Sequence, residues 1–387
     1  MSAQQWGKAP RQPAPIYFDN AATTFPKPAC VYEAVANAMR YSAGNPGRGG
    51  HILAERAGDV VYSARETIAQ HFGTEPQQVI FTANCTHALN LAIHGAVRQG
   101  DHIIISSMEH NSVYRPVAAL ADAGICTYSI VNIAPDTETT LANLRRCLQP
   151  NTRIVICTLV SNVTGQILPY RQLAAFCREN DLILIADGAQ ACGVLPVTLA
   201  DGMQILCTAG HKGLYGPMGT GLLISDGTVP LAPLMQGGTG SLSASVRQPD
   251  FLPDALESGT VNVCGIAGLH AGLRWVEQQS IQRIHQQESA LCRQLIEGLR
   301  GMPDIVVYRH RDTLYAPVVS FAPRTGDCSE LALRLQQRGF CLRSGLHCAP
   351  LAHETIGTMA QGTIRFAPSV FNSPGQVNGL LRAIQTA

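Results

Sequence analysis

Short apolar runs closed by turn residues recur through the first part of the chain: Val79–Thr82, His102–Ser106, Ile125–Val131, Arg153–Leu159, Leu182–Ala186 and Gln204–Thr208. They are rich in Ile, Leu and Val and too short for helices, so each predicts a buried strand. Between them, Thr86–Gln99, Val113–Ala123 and Tyr170–Asn180 return an apolar residue every three or four positions, the period of a helix with one buried face. Strand and helix alternating in this way predict crossover units, and runs apolar on both faces predict a mainly parallel sheet covered on both sides. The expected fold class is α/β.

The pattern changes after residue 228, where TVPLAPLMQGGTGSLSASVRQPDFLPDALESGT strings Gly, Pro and Ser together without a period and reads as irregular connection. Beyond it, Val263–Gln279 and Ile281–Gly301 predict two long helices, Ile305–Arg309 and Val318–Ala322 two short strands, and Leu331–Arg338 and Gln376–Ile384 further helices. The expected organisation is an N-terminal arm (1–15), a large domain (16–262) and a smaller α+β domain (263–387), against which the arm is free to fold.

Composition narrows the function. The 387 residues carry 28 Lys and Arg against 27 Asp and Glu, a net charge of +1, so no basic face is implied and nucleic acid is not an expected partner. No apolar run approaches the length that spans a bilayer, and MSAQQWGKAPRQPAPIY lacks the apolar core of a secretory signal, so the expectation is a cytoplasmic protein away from membranes. The 13 cysteines are odd in number, scattered and without C-x-x-C spacing, which predicts reduced thiols and no metal site. Cys126, Cys157, Cys177 and Cys207 sit inside apolar runs and read as core residues.

Candidate chemistry sits at strand ends. Asp187 closes the run LILIAD, where open α/β sheets bind ligands, although an Asp there also serves as a turn cap. His211 and Lys212 follow the next strand in the Gly-rich turn AGHKGLYGP. A lone Lys in a loop is ordinarily solvated, but neighbouring parallel strands bring Asp187 and Lys212 to one edge. A Schiff-base lysine and a carboxylate for a pyridinium nitrogen are what pyridoxal 5'-phosphate requires of a protein. The helix expected from Thr86 offers an N-terminus to a phosphate, with Thr86 as cap, ligand or both. His110 follows a further strand, where an imidazole could lie over the ring.

The stretches YFDNAATTFPKP (17–28), NPGRGGH (45–51), MEHNS (108–112), VSNVTG (160–165), ADGAQ (186–190), GHKGLYGPMGTG (210–221), RSGLHCAP (343–350) and GTIRFAPSVFN (362–372), in this order, resemble the class V aminotransferase family of fold-type I pyridoxal enzymes. Within it the resemblance is to the cysteine desulfurase and selenocysteine lyase branch. It implies that Lys212 carries the cofactor and moves the substrate's protons, Asp187 pairs with the pyridine nitrogen, Gln190 with the phenolic oxygen, and His110 stacks on the ring. Thr86 and His211 would hold the phosphate, with Thr239 reaching in from the other subunit of a homodimer. Arg365 would clamp the substrate carboxylate, with Asn162 beside the cofactor and Arg343 near the catalytic loop. Cys348 would attack the sulfur of L-cysteine, or the selenium of L-selenocysteine, becoming a persulfide in the first case and releasing alanine, before a sulfur-acceptor protein discharges it.

The chain departs from that pattern at Ala209, where many relatives carry Ser or Thr, at Cys85, often Thr, and at Cys264, often Pro. Only a short stretch separates Cys348 from Arg365, leaving no room for a long flexible loop. Other readings stay open: Cys348 as one more core cysteine, Arg343 as a surface ion-pair partner, a class V transaminase, epimerase or lyase in which Cys348 is incidental, and an idle partner-binding protein that keeps the fold.

Overall fold

The structure, a computed structural model, describes residues 15–47, 49–311 and 313–387. The expected N-terminal arm lies outside the described residues apart from Pro15. In chain order the elements are β1 (Ile16–Tyr17), α1 (Ala29–Tyr41), α2 (Ile52–Phe72), β2 (Val79–Thr82), α3 (Cys85–Ala96), β3 (Asp101–Ser106), α4 (Asn111–Asp122), β4 (Cys126–Val131), α5 (Thr137–Cys147), β5 (Thr152–Thr158), α6 (Tyr170–Glu179), β6 (Ile183–Asp187), β7 (Ile205–Ala209) and β8 (Gly221–Ser225). After an irregular stretch come α7 (Val263–Gln279), α8 (Ile281–Arg300), β9 (Ile305–Val307), β10 (Val319–Pro323), α9 (Cys328–Gln337), β11 (Phe340–Cys341), β12 (Arg343–Gly345), α10 (Pro350–Thr355), β13 (Thr363–Phe366) and α11 (Pro374–Gln385).

The seven-stranded sheet has the order β2-β8-β7-β6-β5-β3-β4, with β7, β6, β5, β3 and β4 parallel. Its inner strands are largely apolar because successive residues feed cores on opposite faces: Val155 and Cys157 of β5 enter one, Ile154 and Ile156 the other, whereas β4 at the edge is partly exposed. β8 is antiparallel to both β2 and β7 and was not anticipated. The turn between β7 and β8 is too short for the crossover a parallel neighbour needs, so the chain must fold straight back.

Helices α1 and α2 were also unanticipated. The buried stripe of α2 is built from Ala54, Ala57, Ala64 and Ala69 with Val61, Ile68 and Phe72, so its period is carried largely by small residues. The 13 cysteines are all free; eight are buried, among them Cys126, Cys157, Cys177 and Cys207, four are half-buried, and Cys348 is exposed. Among the described residues no helix is long and apolar enough to cross a membrane.

The C-terminal part builds a four-stranded antiparallel sheet, β12-β13-β10-β9. The start of the described chain joins this part: β1 pairs in parallel with β11, and the fully buried Phe18 shares a core with Leu295, Phe321, Leu335 and Phe366. Phe18 packs its ring 4.6 Å from that of Phe366, so this segment is tied down by apolar burial. Phe18→Ala should therefore cost about 3–5 kcal/mol, as expected for emptying a buried aromatic site; denaturant unfolding would read it, and a loss near zero would show that this contact contributes little.

Candidate active site

Parallel pairing sets the first half of the site. Thr158 of β5 lies opposite Asp187 of β6, and Asp187 opposite Cys207 of β7, so these strands deliver their carboxyl ends to one edge. Asp187 is 3% exposed. Its Oδ1 accepts the Ala189 N–H at 2.9 Å and the Cys85 thiol at 3.6 Å. Burial pushes its carboxyl up against the opposing pull of Ala189 N–H, Lys212 and Cys85. Lys212 lies three residues past β7 and lines one cleft with Asp187, Gln190, His110, Thr86 and His211. Burial holds its ammonium below the ordinary lysine range, the cations Arg365 and Arg343 adding to the effect and Cys85 and Asp187 opposing it. An amine so placed is a better nucleophile than a solvated one.

The turn that presents Lys212 is held by groups the sequence did not flag. The His211 carbonyl accepts Lys27 Nζ at 2.7 Å, Thr24 N at 3.0 Å and Thr23 Oγ1 at 3.1 Å. Burial pushes the Lys27 ammonium down to about 8. On the other side the backbone passes so close that a side chain at Gly213 would place Cβ 2.4 Å from the Cys192 carbonyl oxygen. These residues occur in stretches quoted above, but only the tertiary contacts, nearly two hundred residues apart in sequence, assign them to this turn.

Helix α3 begins at Cys85, and Asn84 is its cap, accepting the His87 N–H at 2.9 Å. This corrects the placement of Thr86 as cap: it is an exposed residue of the first turn on the rim of the cleft, its hydroxyl released from capping. His110 caps α4 with Nδ1 accepting the Ser112 N–H at 3.1 Å, which assigns the proton of the neutral ring to Nε2. Gln190 donates Nε2 to the Ala21 carbonyl at 2.8 Å, leaving its Oε1 as the other end of the amide. Ala209 lines the cleft, and the neighbouring Thr208 does not replace the missing hydroxyl, since it faces the Gly188 carbonyl at 3.3 Å.

The second half of the site comes from the C-terminal sheet. Arg343 of β12 stands directly opposite Arg365 of β13. Arg365 is 1% exposed, with Nη2 on Asp19 at 2.7 Å and Nη1 on the Asn162 carbonyl at 3.0 Å, while its Nε has no partner among the described residues. It does not line the Lys212 cleft; Asp19, absent from the expected set, holds it. Arg343 Nη2 donates to Cys348 Sγ at 3.2 Å. Cys348 and His347 both adopt left-handed φ angles, +59° and +49°. Their carbonyls are taken by Asn111 N and by Asn162 Nδ2, each at 2.8 Å, so the cysteine turn is pinned beside His110 and Asn162 on the cleft wall. Thr239 lies elsewhere, on an open groove lined by Gly49, Gly50, Ala54 and Gly58 on one side and by residues 236–243 and 245–249 on the other.

Residues 16–380 match the family model described as aminotransferase class-V. The chain belongs to that family. It is 30% identical over 384 residues to a protein of Vibrio cholerae named probable cysteine desulfurase, covering 96% of this chain and 93% of the relative. It is equally identical, over 96% of its length, to a probable cysteine desulfurase of Mycolicibacterium paratuberculosis, of which it spans only 55%. The apo structure of a cysteine desulfurase from Thermococcus onnurineus superposes with a TM-score of 0.89 at 29% identity, covering 96% of this chain and 94% of that one.

Four imidazoles around the site are kept neutral by burial. His110 is pushed down to about 4, with Lys212 and Arg343 adding to desolvation; His211 and His353 also reach about 4, and His347 falls well below its ordinary value. Because the unfolded chain takes up these protons near the ordinary value of 6.5 and the folded chain does not, the contribution of these rings to folding stability is full above about pH 6.5 and declines as pH falls toward about 4, while the buried Glu109 and Glu288, raised to about 8, act in the opposite sense. An NMR titration should find the His110 ring still neutral at about pH 5.5, and a midpoint near 6.5 would contradict its burial.

Proposed function

We propose that the protein is a cysteine desulfurase that uses pyridoxal 5'-phosphate and carries the abstracted sulfur on Cys348. The observation that carries this reading is the exposed Cys348 thiol, alone among 13 in its exposure and held by Arg343, on a turn pinned to the wall of the Lys212–Asp187 cleft.

The cleft suits the cofactor. His211 Nδ1 is buried without a partner among the described residues, and Asp187 Oδ2 receives no hydrogen bond there while Oδ1 takes two. Thr86 and the first turn of α3 would hold the phosphate with His211, Asp187 would face the pyridine nitrogen, Gln190 the phenolic oxygen, and Lys212 would bind the aldehyde carbon. When bound, the group supplies an electron sink for bonds at the substrate's α- and β-carbons.

The chain's own groups do the rest. Lys212, with its depressed ammonium, takes and returns the proton at the substrate's α-carbon. The neutral His110 ring, on the cleft wall, would lie against the cofactor face and offer Nε2–H. Arg365, already fixed by Asp19 and the Asn162 carbonyl, receives the substrate carboxylate through its planar fork, with Arg343 beside it. Cys348 Sγ, as thiolate, forms a bond to the substrate sulfur while the sulfur–Cβ bond breaks and its electron pair stays with carbon, giving a Cys348 persulfide and alanine. L-Selenocysteine meets the same groups and is the alternative substrate. A sulfur-acceptor protein or a thiol then removes the outer sulfur from the exposed side chain.

A homodimer completes the reading. Exposed apolar side chains recur in two stretches of the chain, Met39, Tyr41, Ile52, Leu53 and Tyr62 in one and Met218, Met235, Leu242, Val246 and Phe251 in the other, with Leu242 and Val246 on the groove that holds Thr239. Apolar surface so concentrated suits a partner subunit, whose Thr239-bearing loop would close the phosphate end. The large domain would be 16–262, and 263–387 the smaller one that brings Cys348, Arg343 and Arg365.

Cys348→Ala should retain the yellow cofactor and lose alanine formation from L-cysteine by about a hundredfold or more, since the nucleophile is gone while cofactor binding is untouched. Alanine release at the original rate would overturn the persulfide route. In sedimentation the protein should run at twice its 41.3 kDa chain mass. Val246→Glu, which puts a charge at a fully exposed apolar position, should halve that mass, and an unchanged dimer would move the interface elsewhere.

A further inference from the structure

Cys85 is the first residue of α3, buried, and its Sγ donates to Asp187 Oδ1 at 3.6 Å. The only other donor to that oxygen among the described residues is the Ala189 N–H at 2.9 Å, and none reaches Oδ2. Both restraints therefore act on one oxygen of a carboxylate that is 97% buried and lines the Lys212 cleft, leaving the second oxygen for a ligand.

The thiol is fit for this and for little else. Burial and the adjacent Asp187 raise it well above the ordinary thiol range, so it remains S–H and acts as a donor. The other titratable groups around Asp187 come from several elements. Cys157 of β5, Cys192 and Cys207 of β7 are buried thiols, also raised, and none donates to the carboxylate. Glu109, after β3, is pushed up to about 8 by burial and is occupied with Ser106 and the Thr158 N–H. Lys212 is the cation that faces it.

We propose that Cys85 is a positioning residue for Asp187: its S–H and the Ala189 N–H hold Oδ1, which orients Oδ2 toward the ring nitrogen of the pyridoxal group and limits the negative charge that this oxygen presents to the protonated nitrogen. The inference rests on the cofactor reading above. Removing the donor makes Oδ2 more basic, the ring nitrogen keeps its proton more firmly, and electrons are drawn more strongly from the conjugated Lys212 nitrogen. That nitrogen then loses its own proton at lower pH.

The test is a pH titration of the visible band of the full-length protein loaded with pyridoxal 5'-phosphate, for wild type, Cys85→Ala and the control Cys207→Ala. The midpoint should fall in Cys85→Ala by about 0.3–0.5 pH unit, a two- to threefold change in the acid constant for loss of one weak hydrogen bond, and stay at the wild-type value in Cys207→Ala, which opens a similar void without removing a bond. Should the alanine variant not fold, Cys85→Val reads the same shift, because it fills the space without offering a donor to Asp187. An unchanged midpoint in the Cys85 variants, or an equal shift in Cys207→Ala, overturns the inference and leaves the cofactor reading standing; a wild-type protein that takes up no chromophore overturns both.

Discussion

A carboxylate and an amine withdrawn from water at the ends of neighbouring strands is the constraint around which the rest of this molecule is arranged. Neither charge is comfortable there: burial pushes the Asp187 carboxyl up and the Lys212 ammonium down, and their mutual attraction offsets only part of it. The parallel register that aligns β5, β6 and β7 holds the two groups in place irrespective of their preference for solvent. A site whose poise is built in by the sheet would have little left to reorganise on taking up the cationic ring proposed for it.

The second constraint is a pair of like charges. Arg343 and Arg365 face each other across β12 and β13, an arrangement that repels unless an anion is near. Asp19, from the beginning of the described chain, supplies one carboxylate to Arg365 across 346 residues of sequence. The apolar anchor at Phe18 and the charge at Asp19 bind the C-terminal half, and Thr23, Thr24 and Lys27 a few residues on bind the His211 carbonyl, so one short segment fastens the two halves of the site together.

Much of this was legible in the amino-acid order. The inner strands of the parallel run announced themselves because burial on both faces leaves them largely apolar, and Asp187 and Lys212 stood out as polar residues at or just past the ends of such runs. The antiparallel β8 was missed because its five residues follow a Gly-rich turn that carries no helix, and α2 because alanine supports its buried stripe without the bulk that period counting rewards. Lys27, Asp19 and the cap at Asn84 were illegible for another reason: what they do depends on partners far away in the chain or on where a helix begins by a single residue. The family motifs contained them without saying which atom each would touch.

The uneven burial of the cysteines matters for sulfur held on one of them. A persulfide is open to attack by any thiolate within reach, and this chain supplies a dozen other sulfurs in every copy. Burial keeps Cys177, Cys192 and Cys292 at about 12 and Cys328 at about 11, so those sulfurs are almost wholly protonated in neutral solution and enclosed besides. Cargo parked on residue 348, as proposed, would thereby be spared from being scrambled within its own carrier and would leave only for an outside nucleophile.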